Sequence, residues 1–350
     1  MHRRFVIITE GQSHPTPAKM AAGLLRYRSK EVAAILDSTN KGKTAGQLFG
    51  AGGDIPVIGS LDEAEKFHPD SFLIGITPAG GKLPAEWREV ILEAIRRKMD
   101  IYSGMHTLLC DDAEFVAAAK LHSIKLTDLR KPPDDLSVNT CQAPFSSTFR
   151  IHTVGSDCNC GKKVTALEMQ KFMELKGLNS AFIATGQTGI LISGKGIAMD
   201  HVISDYVAGA AERLVLENAD ADYLVIEGQG AIAHPLYSGV TCSMLHGFAP
   251  QVLILCHQVD RKIMRGTPNV PVPPLNKLIE LYEKLTEYFF PAKIVGIALN
   301  TTSVPVDRAA EIIAQTESAL GLPATDVIRF GPEKIVQACL EYQNRQRGKL

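Results

Sequence analysis

Between Gly155 and Thr165 the chain reads Gly-Ser-Asp-Cys-Asn-Cys-Gly-Lys-Lys-Val-Thr. Two glycines bracketing a short polar loop, with a lysine directly after the second, are residue types that hold phosphate. Backbone N–H groups and a helix N-terminus face the anion, and the lysine adds a point charge. The candidate ligand contacts are Gly155, Ser156, Asp157, Cys158, Asn159, Cys160, Gly161, Lys162 and Lys163. Two features set this loop apart from the common phosphate loop. Five residues separate Gly155 from Gly161, and Lys163 stands where a hydroxyl normally holds Mg²⁺. An anion site follows from this pattern; magnesium-dependent hydrolysis does not.

Other chemistry-bearing residues stand at the ends of apolar runs. Glu227 closes Tyr223-Leu224-Val225-Ile226 and precedes Gly228-Gln229-Gly230 and His234-Pro235. In phosphate-loop folds such a terminal acid points at phosphate, metal or substrate. Asn300 ends Lys293–Leu299, where phosphate-loop relatives read a base edge, although a bare asparagine is equally a turn residue. Gln187 lies in Thr185-Gly186-Gln187-Thr188-Gly189, just past another strand. His106 sits in a polar turn after Ile101-Tyr102 and reads either as a substrate contact or as a structural loop histidine. Cys158 and Cys160 form only a C-x-C pair, and Cys141 is too far upstream to complete a zinc pattern, so no metal site is expected.

These residues need a scaffold, and the apolar runs supply one. Arg4–Thr9, Glu31–Asp37, Ile55–Ile58 and Phe72–Ile76 read as strands in the first half, Ile101–His106 places a second polar turn at the rim where Phe72–Ile76 ends, and helical spacing holds over 17–27 and 84–98. Thr77-Pro78-Ala79-Gly80-Gly81 is a loop on the side where open α/β sheets bind ligands. Asp37 sits at a strand end where dinucleotide folds meet a ribose hydroxyl. The glycine fingerprint after the first strand is missing, so no NAD site is assigned and a plain turn residue is the other reading. The adjacent Pro132 and Pro133 mark a boundary. In the second half, strands over 149–154, 180–185, 223–227, 252–256 and 293–299 alternate with helical segments, which makes a parallel doubly wound sheet. The expected architecture is α/β: a Rossmann-like domain over 1–130, a linker over 131–148, and a P-loop NTPase-like domain over 149–350.

Composition narrows the function classes. With 350 residues the chain can hold two cores, and net charge −1 leaves no electrostatic footprint for nucleic acid or acidic membranes. Seven cysteines without small-domain spacing suggest reduced thiols. The run Phe5–Ile8 is too short for a signal segment and no later run reaches spanning length, so a cytoplasmic protein is expected. The expected partner is a small-molecule substrate, and a homo-oligomer is expected.

The long loop Gly-x-Asp-x-x-x-Gly-Lys resembles the dethiobiotin-synthetase-like branch of P-loop proteins. A wider set recurs in order: Gly75-Ile76 with Gly80-Gly81, Leu83-Pro84 and Glu86-Trp87-Arg88; Asp128–Pro133; the loop itself; Gly186–Gly189; Glu227–Gly230 with His234-Pro235; and Gly296–Thr301. Together these are similar to a bacterial and archaeal family associated with D-glutamate N-acetyltransferase. The resemblance implies a Rossmann-like domain, a P-loop-type domain, and acetyl transfer from acetyl-CoA to the amine of an acidic D-amino acid. The sequence departs from that family's pattern at Lys163 and Val164, where relatives carry a threonine after Gly-Lys-x; this weakens inherited claims about metal or ATP. Under this reading the loop holds the phosphates of acetyl-CoA and Arg261 grips acceptor carboxylates, a surface ion pair being its other reading. His234 serves as base with Glu227 orienting the ammonium or the imidazole, and Asp157 is the next candidate. The competing classes are an ATP–Mg²⁺-dependent ligase or kinase, with Glu227 serving a metal, and a non-catalytic nucleotide-binding regulator.

Overall fold

A computed structural model describes residues 3–76 and 81–348, so Thr77–Gly80 of the expected first-half loop lies outside the described residues. The chain divides into two compact units. In the first, β1 (Phe5–Ile8), α1 (Lys19–Tyr27), β2 (Val32–Leu36), α2 (Ala45–Phe49), β3 (Val57–Ile58), β4 (Ser71–Ile74), α3 (Arg88–Arg96), β5 (Asp100–Ser103), α4 (Ala113–His122) and β6 (Leu126–Asp128) follow one another. Their six strands are parallel in the order β3-β2-β1-β4-β5-β6, a doubly wound arrangement with its switch point between β1 and β4. Phe5, Val6, Ile7 and Ile8 are all buried, as an apolar run covered on both faces of a parallel sheet must be.

The second unit holds β7 (Phe149–Gly155), α5 (Lys162–Leu175) and β8 (Ser180–Ile183). The next helix, α6 (Gln187–Ser193), departs from the expected continuous domain: Gln187–His201 packs with the first unit. Leu191 joins that unit's core, the Thr188 hydroxyl donates to Met20 Sδ at 3.3 Å, and Arg28 donates to the Leu191 carbonyl at 2.8 Å. The chain then rejoins the second unit through α7 (Val207–Leu216), β9 (Tyr223–Ile226), α8 (Ser238–Phe248), β10 (Val252–Gln258), α9 (Leu275–Thr286), β11 (Lys293–Asn300), α10 (Val306–Leu320), β12 (Ala324–Thr325) and α11 (Glu333–Arg347). Its sheet is also six-stranded and parallel, ordered β12-β11-β10-β7-β9-β8.

Register fixes what surrounds the glycine loop. Gly155 at the end of β7 lies opposite Cys256 of β10, and His152 lies opposite Ile226 of β9. The loop after β7 is therefore flanked by the ends of β9 and β10, which carry Glu227 and His257. The segment expected as a linker is a bound strap. The buried Glu212 carboxylate on α7 accepts N–H bonds from Thr140 (2.7 Å), Gln142 and Ala143 (3.3 Å). No helix among the described residues is long and apolar enough to cross a membrane.

Candidate functional site

The strand-to-helix loop has the backbone that its glycines predict. Gly161 caps α5 at φ +118°, a conformation that side-chain-bearing residues avoid. A Cβ on Gly155 would stand 2.8 Å from Lys162 Nζ and 2.7 Å from Cys160 Sγ, so only glycine lets the lysine fold back over the strand end. Lys162 is buried and donates to the Asp157 carbonyl at 2.8 Å; the Cys160 thiol donates to the same oxygen at 3.1 Å. The first N–H groups of α5 have no acceptor within the helix, so they join Lys162 at the mouth of the loop. Tyr282 on α9 stiffens the entry. Its hydroxyl donates to the Gly155 carbonyl at 2.7 Å and accepts the Ile232 N–H at 3.0 Å.

Asp157 is fully buried, and its charge is met on several sides. Arg261 donates to Oδ2 at 2.8 Å, the Arg265 N–H donates to the same oxygen at 2.9 Å, and the Cys158 N–H reaches Oδ1 at 2.6 Å. Arg261 also donates to the Cys158 carbonyl at 2.6 Å and to Gln258, so its guanidinium clamps the loop from within. His257 is hydrogen-bonded through Nδ1 to the Ser156 hydroxyl at 2.9 Å. Burial, and then Arg261, push its pKa down to about 4 against the opposing pull of Asp157.

Glu227 and His234 occupy different chemical situations. The Glu227 carboxylate accepts N–H bonds from Thr185 (3.0 Å) and Gly186 (3.2 Å), and Lys163 lies within its electrostatic reach. Lys163 is half-buried; burial lowers its pKa while Glu227 acts to raise it. Thr153 of β7 holds the turn, donating to the Ile226 carbonyl and accepting the Gly228 N–H, both at 3.0 Å. His234, fully buried, is spanned by main chain: Nδ1 accepts the Leu236 N–H at 3.2 Å and Nε2 faces the Arg265 carbonyl at 3.0 Å. These bonds assign the proton to Nε2 and leave no lone pair free to receive another. Asp157, Cys158 and His234 bring a carboxylate, a thiol and an imidazole within 4.8 Å of one another, a donor set suited to a soft divalent ion. Asp157 is already committed to Arg261 and two N–H groups, and His234 to main chain on both nitrogens.

With this geometry in view, the chain can be set beside known proteins. Models of the DUF1611 domain of unknown function match it twice, as a Rossmann-like domain over residues 38–132 and as a P-loop domain over residues 138–336. This chain belongs to the DUF1611 family. A DUF1611 family protein from Anabaena variabilis, solved by crystallography, shares its fold at a TM-score of 0.93 and 34% identity, covering 97% of this chain and 99% of that one. Two relatives are called D-glutamate N-acetyltransferase. One, from Tritonibacter scottomollicae, is 39% identical over 80% of this chain and 84% of its own length. The other, from a Pseudoalteromonas species, is 37% identical over 79% and 83%. The family resemblance and the α/β architecture expected from the motifs are both borne out.

The remaining candidates are distributed over the DUF1611 fold. Asn300 borders the glycine loop, but its Oδ1 accepts the Thr302 N–H at 3.1 Å and the Thr302 hydroxyl at 2.7 Å, a local turn. Asn159 is exposed on the loop at φ +53°, and Cys158 is half-buried beside it. Gln187 and His106 both belong to the first unit. Gln187 opens α6 beside Gly104, and the His106 ring lies 5.8 Å from that of His201. Burial, then Arg130, lower the His106 pKa. Three participants escape sequence reading: Tyr282, His257 and Arg265. Arg265 and Tyr282 reach the loop by long-range bonds. His257 lies just past the apolar run 252–256, and its pairing with Ser156 follows only from β7–β10 register.

Proposed function

We propose that this chain is an N-acetyltransferase that moves acetyl from acetyl-CoA to the amino group of an acidic D-amino acid such as D-glutamate. The relatives called D-glutamate N-acetyltransferase support this reading. The observation that carries it is the character of the glycine loop. It offers N–H groups, Lys162 and Lys163 to phosphate oxygens, while its nearby hydroxyls face elsewhere: Ser156 is bonded to His257, and Thr165 accepts the Cys256 thiol at 3.6 Å in the core. Binding the diphosphate of a CoA thioester needs only such donors, because no phosphoryl group is transferred.

Acetyl transfer asks one further thing of the protein. An ammonium must lose its proton before its nitrogen attacks the thioester carbonyl, forming the C–N bond as the C–S bond breaks and the thiol leaves. Glu227 fits the role of proton acceptor: its carboxylate follows β9 beside the glycine loop, held in place by the Thr185 and Gly186 N–H groups and within electrostatic reach of Lys163. His234 fits a positioning role, locking Arg265 and Asp157 in place, which reverses the assignment expected from the sequence. Thermal-shift titration with acetyl-CoA and with ATP–Mg²⁺, beside a transfer assay on D-glutamate, tests the reading. Stabilisation by acetyl-CoA that survives chelator, with acetyl appearing on D-glutamate, is the expected result. Stabilisation by ATP–Mg²⁺ alone would move the chain to the ligase or kinase class.

A further inference from the structure

Arg261 was the cation expected to grip a substrate carboxylate, but its guanidinium already serves Asp157, the Cys158 carbonyl and Gln258. Four residues on stands an arginine with the opposite arrangement. After β10 the chain forms a small hairpin: Val272 N–H donates to the Lys262 carbonyl at 2.9 Å, Met264 N–H donates to the Val270 carbonyl at 2.8 Å, and Ile263 bridges Pro271. Buried Met264 anchors it, and the next residue is Arg265. The Arg265 main chain is held from both sides, its N–H by Asp157 Oδ2 at 2.9 Å and its carbonyl by His234 Nε2 at 3.0 Å. Its side chain is exposed, and the guanidinium makes no hydrogen bond or ion pair with any described residue.

A cation whose backbone is locked to the loop while its planar five-donor head stays unengaged is preorganised for a ligand oxyanion. The surroundings strengthen that bias. In a chain of net charge −1, Lys162, Lys163, Arg261, Lys262 and Arg265 gather around the loop and hairpin against Asp157, Glu227 and Asp260. Buried His234 and Asp157 would then have a purpose beyond packing, since both fix the base of the Arg265 side chain.

We propose that Arg265 is a specificity-determining residue of this site, gripping an oxyanion of the bound substrate through bidentate hydrogen bonds. The oxyanion is either the distal carboxylate of the acceptor or a phosphate of the donor. The inference rests on the acetyl-transfer reading for the identity of those ligands.

The test is calorimetric titration of the full-length wild type, Arg265→Gln and Arg265→Lys with three probes: D-glutamate, D-glutamine and inorganic pyrophosphate. Arg265→Gln should melt like the wild type, since the lost head group has no protein partner. It should weaken one anionic probe at least tenfold, and Arg265→Lys should recover only part of the loss. If the carboxylate is the target, wild type prefers D-glutamate to D-glutamine and Arg265→Gln erases that preference. If a phosphate is the target, pyrophosphate affinity falls and the amino acids are unaffected. Less than a threefold change for both D-glutamate and pyrophosphate overturns the proposal, as does a wild type that binds neither. A wild type that binds one of them, with the expected Arg265 dependence, but never transfers acetyl sinks the acetyl-transfer reading and leaves the Arg265 assignment standing.

Discussion

Each unit buries an aspartate near a strand's carboxyl end, and the two are treated in opposite ways. Asp37, after β2, is surrounded by neutral donors: Gly11 N–H at 3.0 Å, Thr39 N–H at 3.1 Å, Thr39 hydroxyl at 2.7 Å, Asn40 at 2.8 Å, and Ser13. Asp157, after β7, shares its space with Arg261, and Lys162 folds back to donate to its main-chain carbonyl at 2.8 Å. In the first unit the groups around Asp37 satisfy its carboxylate, so Asp37 ties two loops together and has little left for a ribose hydroxyl. Around the glycine loop of the second unit, Lys162, Lys163, Arg261 and Arg265 outnumber Asp157 and Glu227. A parallel sheet's carboxyl edge becomes a ligand site only where its polar groups are not used up internally, and here the edge at Asp37 is closed while the edge at the glycine loop keeps a surplus of cations.

The largest effect that would sharpen this contrast is catalytic. Glu227→Gln should lower kcat for acetyl transfer by about 10²–10⁴-fold, the usual worth of a positioned proton acceptor. Asp37→Asn should leave kcat within a few-fold of wild type. Steady-state kinetics on both variants decides the matter, and equal losses would mean that the first unit's edge is chemically active after all.

Next comes ligand binding. Lys162→Ala removes a charge-assisted hydrogen bond worth about 1.5–3 kcal/mol, so the Kd for CoA should rise by about 10–150-fold. The same substitution removes the side chain that Gly155 makes room for, without touching the strand core. Equilibrium binding with unchanged affinity would show that the loop is a structural turn and the second edge as closed as the first.

How far the sequence carried these assignments depends on the range of the forces involved. Strands such as Tyr223–Ile226 and Val252–Cys256 are legible because a strand buried on both faces must be a continuous apolar run. The glycine loop is legible because its backbone demands specific residue types at fixed spacing. By contrast, Gln187–Ser193 reads from sequence only as residues just past a strand, and nothing in them says which of two cores receives Leu191. Arg261 and Arg265 are alike in sequence; side-chain bonds commit one and main-chain bonds pose the other. Those bonds exist only once β7 and β10 lie side by side.

Stability against pH offers a smaller but clean discriminator. Burial alone would raise the Asp37 pKa, but the bonds from Ser13, Gly11, Thr39 and Asn40 outweigh it and hold the folded value at about 2, against 3.8 for the free side chain. A folded pKa below the unfolded one stabilises the charged form, so the contribution is complete above about pH 4 and is lost as pH falls toward 2. It amounts to about 2 kcal/mol. Urea melts at pH 5 and pH 2.5 should show the gap between wild type and Asp37→Asn narrowing by that order at the lower pH. A gap independent of pH would mean that the neutral donors do not hold Asp37 ionised, and the closed-edge account would lose its basis.

The smallest expected effect concerns Asn300, which sits on the border of the active edge yet behaves as the closed edge does. Its position after β11 suggests a residue that reads a base, but its carbonyl oxygen is spent on Thr302, in the manner of a local asparagine turn. Removing it in Asn300→Ala deletes two neutral hydrogen bonds on a half-buried residue, for a loss of about 0.5–1.5 kcal/mol in unfolding free energy. Affinity for CoA should stay within threefold if, as proposed, the cations of the loop rather than this amide hold the ligand. The adenine-bearing part of the donor provides the control: pantetheine, which lacks the base and its phosphates, should bind wild type and Asn300→Ala equally weakly. If instead CoA affinity falls tenfold while pantetheine affinity is unchanged, Asn300 gives up Thr302 when the base arrives. Self-satisfaction in the free protein would then be a resting state of this edge, and the contrast between the two aspartates would have to be redrawn around which internal bonds a ligand can displace.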